Sequence, residues 1–348
     1  MAVGEDRRAE LRATALVALL RDLDGAEVDR RGVAPVGAAA VGAVRDGTAQ
    51  VYAETGGAAM LAGALLWADR HGAAALRLIL DDETSDPSVT ARIATRFTTP
   101  VTVFERVGAS ARVVDPAPDP TEVPVVADDD GLRALIEAAG LEVVVEHGVV
   151  TGELLGLEVA RLVRWPAEAG GDDAVHLETG VGRFDRDATA AVRAGEAPAD
   201  ALRRTVAAVA PHRRPGAPGQ HASLLARERW LRRAVIDDPS LAGLGGSLRP
   251  VATTTPRWSV RDAAPAAAVG VDAEGRSVVV VCSVGVDLAL VPVAADTRAV
   301  EDPTARLVVV VPGRDVLPGT RRLTELVRGG AELVGVRAPW DDTDGAAQ

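Results

Sequence analysis

Short Val- and Leu-rich runs alternate with helix-length segments twice in this chain, once near each end, and that order restricts the fold more than any other feature. In the first half the strands TAQVYAE (48–54), LRLIL (76–80) and VTVFE (101–105) are separated by expected helices over 58–70 and 88–97. In the second half SVVVVCSV (277–284), RLVVVVP (306–312) and AELVGVRAP (331–339) are separated by expected helices over 287–298 and 316–327. Strands that alternate with helices of this length favour a mostly parallel sheet with helices on its faces. Ala68-Asp69-Arg70 aligns with Ala295-Asp296-Thr297-Arg298, at an offset that stays within 227 to 233 residues. A duplicated α/β unit accounts for this; so does the general likeness of any two βαβαβ stretches in an Ala/Val-rich chain, and both readings predict the same local structure.

The expected fold class is therefore α/β, with two similar βαβαβ units at the ends flanking a central α+β and helical region. At 348 residues, 47% of them hydrophobic, the chain is long enough for two domains or one elaborated domain. The N-terminal α/β domain is placed at 1–115. It opens on a helix over 5–22 with an apolar stripe of Leu11, Leu16, Leu19 and Leu20, followed by a Gly-rich turn over 32–47. A Pro-rich linker follows at 116–127, because each proline removes a donor and disfavours helix before it. The central region is 128–240, an extended connector runs over 241–270 with Trp258 as its anchor, the C-terminal α/β unit packs with the central region over 271–340, and 341–348 is a disordered tail.

Composition narrows the class of function. Lys and Asn are both absent, so Arg supplies every basic side chain except the five His, and the net charge is −12. That balance opposes non-specific binding to nucleic acid or anionic membrane. No apolar run approaches the ~20 residues of a membrane span. Cys282 stands alone in an apolar run, which points to a core residue and a reducing, cytoplasmic compartment. There is no Gly-x-Ser-x-Gly, no Gly-x-Gly-x-x-Gly after the first strand and no phosphate-loop frame around GVGR (180–183), so no cofactor is identified.

The acids concentrate between Gly148 and Asp187. LEVVVEHG (141–148) and GELLGLEVARLVRW (152–165) read as a hairpin and VHLETGVG (175–182) as a third strand. Glu153 and Glu158, five apart on one strand, would point to opposite faces. Glu158 and Glu178 on neighbouring strands, with Asp185, are the candidate catalytic and metal-binding set; Mg²⁺ is the ion such carboxylates would hold. The structural alternative pairs Glu158, Glu178 and Asp185 with the interleaved Arg161, Arg183 and Arg186.

Between Arg203 and Arg233 there are eight arginines and one acid, Glu228. Arg227, Arg229, Arg232 and Arg233, with Trp230 among them, are the candidates for contact with phosphates and a stacked base, so nucleic acid enters as a partner through the 203–233 patch. The alternative buries Leu224, Leu225, Leu231 and Val235 and leaves the arginines solvated or paired with Asp237 and Asp238. His212 and His221 are spaced unlike zinc ligands.

A helix, an acid-bearing hairpin and the strand–helix–strand segment from VVVVCSVG to VVVVP together resemble the restriction-endonuclease-like (PD-(D/E)XK) superfamily in outline. That resemblance implies an Asp and a Glu-x-Lys pair holding a divalent metal for phosphodiester cleavage, with Asp185 or Glu158 in place of the first acid. The chain departs from the pattern where it matters: it has no lysine, and Val280-Val281-Cys282-Ser283 stand where Glu-x-Lys is expected. Two functions follow from different classes. One is a non-catalytic scaffold or a module that binds a protein or small ligand, the other a divergent metal-dependent phosphodiesterase or nucleic-acid-processing protein.

Overall fold

Two-residue hairpins set the strand registers. Asp46 and Gly47, with φ of 49° and 72°, join Ala40–Arg45 (β2) to Thr48–Ala53 (β3), and both central residues adopt the left-handed conformation that a tight hairpin with right-twisted strands requires. The computed structural model describes residues 2–25, 29–81, 85–165, 174–182, 186, 196–217, 225–256 and 264–341. It is an α/β protein with similar strand–helix units at its two ends flanking a central α+β region, as the sequence predicts. Chain contacts divide it into two units, the first comprising 1–119, 286–300 and 317–333, the second 120–285, 301–316 and 334–348. The segment expected as a single C-terminal unit is thus shared. Most of its two helices cluster with the first unit and most of its strands with the second.

In the first unit a six-stranded sheet runs in sequence order through Ala34–Pro35 (β1), β2, β3, Ala75–Leu80 (β4), Val101–Val107 (β5) and Ser110–Val113 (β6). The three strands β3, β4 and β5 are parallel, with antiparallel hairpins at either side. Gly57–Arg70 (α2) and Pro87–Ala94 (α3) make the crossovers. The latter starts on Asp86, whose carboxylate accepts from Ser88 N, with Pro87 in the first turn. The helix Ala2–Asp24 (α1) buries Leu16, Leu19 and Leu20 on Val41, Ala43, Tyr52, Ile79 and Phe104. Leu11, expected in that stripe, is exposed. The expected turn over 32–47 contains β1 and β2. Its small residues carry little strand propensity alone, but Val41 and Ala43 are buried beneath α1, and the Trp67 ring lies 3.0 Å from where a Cβ on Gly42 would stand.

Two further helices of this unit, Leu290–Glu301 (α7, through residue 300) and Pro318–Leu326 (α8), meet α2 and α3 reciprocally. Arg92 of α3 binds Asp296 of α7 at 2.9 Å, and Arg322 of α8 binds Asp69 of α2 at 2.6 Å. Asp69 and Asp296 are the residues that the sequence aligns, 227 apart, and Arg92 and Arg322 are 230 apart, within the same narrow range of offsets. Phe97 pairs antiparallel with Val327, flanked by Thr98 N to Leu326 O and Arg328 N to Arg96 O, both 2.8 Å. Contacts in which i meets j′ and j meets i′ are the mark of a self-complementary surface.

In the second unit Asp130–Ala138 (α4), capped by Asp129, precedes a four-stranded antiparallel meander: Glu142–Glu146 (β7), Val149–Leu154 (β8), Leu157–Trp165 (β9) and Ala174–Thr179 (β10). One face packs Val150, Leu157, Val159 and Leu162 with α4 and Pro198–Val209 (α5). The stretch 152–165, expected as one strand, breaks at Leu155-Gly156, where φ is 47° and 78°. Glu153 and Glu158 are therefore cross-strand partners on β8 and β9. Arg227–Asp237 (α6) follows, then a five-stranded sheet of Ser247–Val251 (β11), Ala266–Val271 (β12), Ser277–Cys282 (β13), Arg306–Pro312 (β14) and Glu332–Val336 (β15). The expected connector 241–270 thus holds two strands, because β12 pairs antiparallel with both β11 and β13 and buries Ala266, Ala267 and Ala268. Helix, three antiparallel strands and then a parallel crossover describe α6–β14 as they describe α1–β4. The helix expected near 187–194, Trp258 and the tail from 342 lie outside the described residues. No helix among those described is long and apolar enough to cross a membrane.

The β8–β9 turn touches the backbone of α6. A Cβ on Gly156, φ +78°, would stand 2.4 Å from Arg229 C and 2.5 Å from Trp230 N, whereas one on Gly275, φ +75°, would meet nothing within 4 Å. Gly156→Ala is expected to lower unfolding free energy by about 1–3 kcal/mol more than Gly275→Ala, since both carry the left-handed penalty and only the first adds overpacking. Urea denaturation of the two variants measures the difference.

Candidate functional site

Helix α6 reads RERWLRRAVID, and its two faces have opposite characters. Trp230, Leu231 and Val235 join Val278, Val280, Cys282, Val308 and Val310 in the core beneath the five-stranded sheet. Arg229, Arg232 and Arg233 turn towards the other face of the meander. There the alternation of β7, EVVVE, sets Glu142 and Glu146 on one side, and the register pairs Glu142 with Glu153 of β8.

Four side chains close a ring. Arg229 donates to Glu153 Oε1 at 2.5 Å and to Glu146 Oε2, and Arg232 donates to Glu153 Oε2 at 3.0 Å and to Glu146 Oε1. Every oxygen of the two carboxylates thereby receives a guanidinium N–H. The ring lies in the interior, with the Arg232 side chain 1% exposed and that of Glu153 0%. Desolvation of four charges is costly, and only such complete pairing offsets it. The arginines hold the Glu146 carboxyl below its usual range, burial pushes Glu153 up, and the carboxylates hold both guanidinium groups more firmly charged. Arg233 extends the ring to Glu142 at 2.8 Å and to Asp237 at 2.5 Å. Glu146 and Arg229 also line a small cleft with His147, Thr253 and Thr255; burial lowers the His147 pKa.

The remaining candidate residues have partners too. Glu158 accepts from Arg161 Nε and Arg186 Nη1, each at 2.9 Å, and Arg186 Nε stands 3.6 Å from Glu178. The structure thus brings Glu158 and Glu178 together, with a guanidinium between them. Asp185 and Arg183 lie outside the described residues, as does His221. Trp230 is buried with the Arg213 guanidinium 4.3 Å from its ring centroid, and Arg227 lies 4.9 Å from the centroid of Trp340. Among the described residues, no three His, Cys, Asp or Glu side chains gather at metal-binding distance. The Cys282 thiol is buried and pushed up to about 12, a core residue and not a nucleophile.

Sequence reasoning saw the arginines and missed their partners. The signal was the i, i+4 pair Glu142/Glu146 on one face of a strand, together with the i, i+3 and i+4 arginines on one face of a helix. It also missed a cluster in the first unit. Tyr52 of β3, Asp81 just beyond β4 and Arg106 of β5 share hydrogen bonds, and burial together with the bond to Asp81 raises the Tyr52 pKa to about 12. The readable clue was a lone tyrosine near the end of a strand that pairs in parallel with one running into an acid. Comparison of the chain with protein-family models, with curated proteins and with solved structures gives no match.

Arg232→Met leaves Glu146 and Glu153 each short of a partner in the interior and is expected to cost about 3–5 kcal/mol of stability in urea denaturation. As Tyr52 is the only tyrosine, absorbance at alkaline pH reads it alone. Its midpoint is expected near 12, and Asp81→Asn should bring it down towards the ordinary 10. Because the folded value lies above the unfolded one, the associated stability is complete below pH 10 and is lost as pH rises towards 12.

Proposed function

We propose that the protein is a non-catalytic α/β module that works by binding a small ligand or a protein partner. The observation that supports this most is the ring of Arg229, Arg232, Glu146 and Glu153, with Glu158 held by Arg161 and Arg186. Phosphate contact needs guanidinium groups with N–H directed outwards, and water activation by a metal needs carboxylate oxygens directed at one point. In this chain the same groups face one another. The lone buried Cys282 accords with a reducing cytoplasm.

The competing reading, a divergent metal-dependent phosphodiesterase of restriction-endonuclease-like fold, makes the opposite forecast. Thermal shift with millimolar Mg²⁺ and Mn²⁺, and incubation with plasmid DNA and with single-stranded RNA, separate the two. No shift and no cleavage are expected. Cleavage by the wild-type protein that disappears in Glu158→Gln, with folding retained, would sink the proposal.

A further inference from the structure

The face of α2 and α3 meets α7 and α8 through contacts that repeat when the two sides are interchanged. Arg92 donates from Nε and Nη2 to Asp296 Oδ1 and Oδ2 at 3.3 and 2.9 Å, and Arg322 donates from the same two nitrogens to Asp69 Oδ2 and Oδ1 at 2.9 and 2.6 Å. Both are two-pronged guanidinium–carboxylate pairs, which fix direction as well as distance. The backbone follows suit: Thr98 N donates to Leu326 O and Arg328 N to Arg96 O, either side of the Phe97–Val327 bridge. Arg92 and Arg322, Arg96 and Leu326, Phe97 and Val327, and Thr98 and Arg328 all stand 230 residues apart, and Asp69 and Asp296 stand 227 apart. Interchanging the two sets turns each contact into the other.

Identical subunits make contacts of this pattern across a two-fold axis. Such a face recognises side chains and backbone groups, not covalent connectivity, so α7 and α8 of a second copy satisfy it as well as those of its own chain. The connection between the two sides is one that permits a trade. The stretch up to Val113 holds the whole six-stranded sheet, with its own core beneath α1. From 114 to 125 no helix or strand forms. Pro116, Pro118, Pro120 and Pro124 keep this segment extended, at about 3 Å per residue. Lifting it breaks few bonds, among them Ala117 N to Ser88 O, Arg92 Nη1 to Pro118 O and the Arg96–Asp119 pair.

We propose that the α2–α3 face is an interface between copies of this chain, in which the α7–α8 pair of each copy docks on the α2–α3 face of the other. The covalent link presents a chain's own α7–α8 pair at an effective concentration of about a millimolar, so the closed monomer prevails at micromolar protein. The exchanged dimer takes over as concentration approaches that value, or as the contact within each chain is weakened. No further surface is required, because exchange makes between chains the bonds that closure makes within one.

The half-exposed pair Asp69–Arg322 lends itself to the test, since charge reversal there leaves the buried Arg92–Asp296 pair in place. Asp69→Arg in one chain sets arginine against arginine when that chain closes, and Arg322→Asp in another sets aspartate against aspartate. Exchange between the two variants restores an Arg–Asp pair at both contacts. The variants are refolded from urea separately and as an equal mixture at ~100 μM, well below the effective concentration, and sedimentation velocity and native mass spectrometry read the species. Each variant alone should stay monomeric. The mixture should give a dimer holding one chain of each kind, with a midpoint concentration about tenfold or more below that of the wild type, as two like-charge contacts give way to two matched ones. A chain carrying both substitutions re-forms the pair internally and should stay monomeric, alone or mixed with wild type. A mixture of the two single variants that remains monomeric, or a dimer that either forms alone to the same extent, would overturn the interface. If the variants fail to fold even together, small-angle scattering of wild type refolded at ~2 mM decides: a dimer fraction is expected, and a wholly monomeric solution overturns the proposal.

Discussion

The second unit depends on a ring of charge where a protein interior would ordinarily be apolar. Helix α6 has core on one side and carboxylates on the other, so it joins two sheets by two kinds of force. Trp230, Leu231 and Val235 gain by leaving water, which is non-directional and tolerates small shifts. Arg229 and Arg232 gain only when all four carboxylate oxygens of Glu146 and Glu153 are met, which fixes the helix in rotation and along its axis. A ring of this kind adds little net stability over a hydrophobic replacement. Its effect is to make misplacement expensive, because any slip leaves a buried charge without a partner. Gly156 is part of the same constraint: its missing Cβ lets the β8–β9 turn reach the helix backbone at Arg229 and Trp230.

The first unit uses charge differently. Asp69–Arg322 and Arg92–Asp296 are reciprocal Asp–Arg contacts between α2 and α8 and between α3 and α7, and Phe97 pairs with Val327 beyond the ends of α3 and α8. One member of the pair, Arg92–Asp296, is buried, with Arg96 as a second donor to Asp296 at 3.1 Å; the other is half exposed. The geometry is reciprocal and the energetics are not, since the exposed pair is screened by solvent and the buried one is not.

These differences explain what was legible in the sequence. Strands such as SVVVVC and RLVVVV are buried on both faces and show as continuous apolar runs, so the units at both ends could be read directly. The aligned Asp69 and Asp296 were visible as well. The strands β1, β2, β11 and β12 were not, because Ala, Gly and Pro make up all of β1 and at least half of β2 and β12, while β11, SLRPV, carries an Arg and a Pro in its middle, so none shows as an apolar or alternating run. The Leu155-Gly156 break in 152–165 was hidden because residue 155 is a leucine, a type rarely found at positive φ. The arginines of α6 could be seen as a patch, but whether a patch faces solvent or a carboxylate depends on which strand lies beneath it. Nothing local to 227–233 encodes that. The matching information sits some 80 residues earlier, in the spacing of Glu142, Glu146 and Glu153.

The two similar ends of the chain serve as comparisons for one another. Where backbone and register agree, shared residues such as Asp69 and Asp296 report what the architecture uses, and unlike residues report what it does not need. At the second unit's strand ends burial drives the Cys282 thiol up to about 12, and Asp315, just beyond β14, accepts from Gly285 N at 2.7 Å beside Arg314. The first unit places a tyrosine, an aspartate and an arginine there. Its hydroxyl is buried and fully bonded, and its charged ends stay partly in water. A polar cluster retained purely for folding would be expected to close on itself. This one closes on itself at the tyrosine hydroxyl and Arg106 Nη1 and leaves the outer parts of Asp81 and Arg106 in water, at the carboxyl ends of three inner strands.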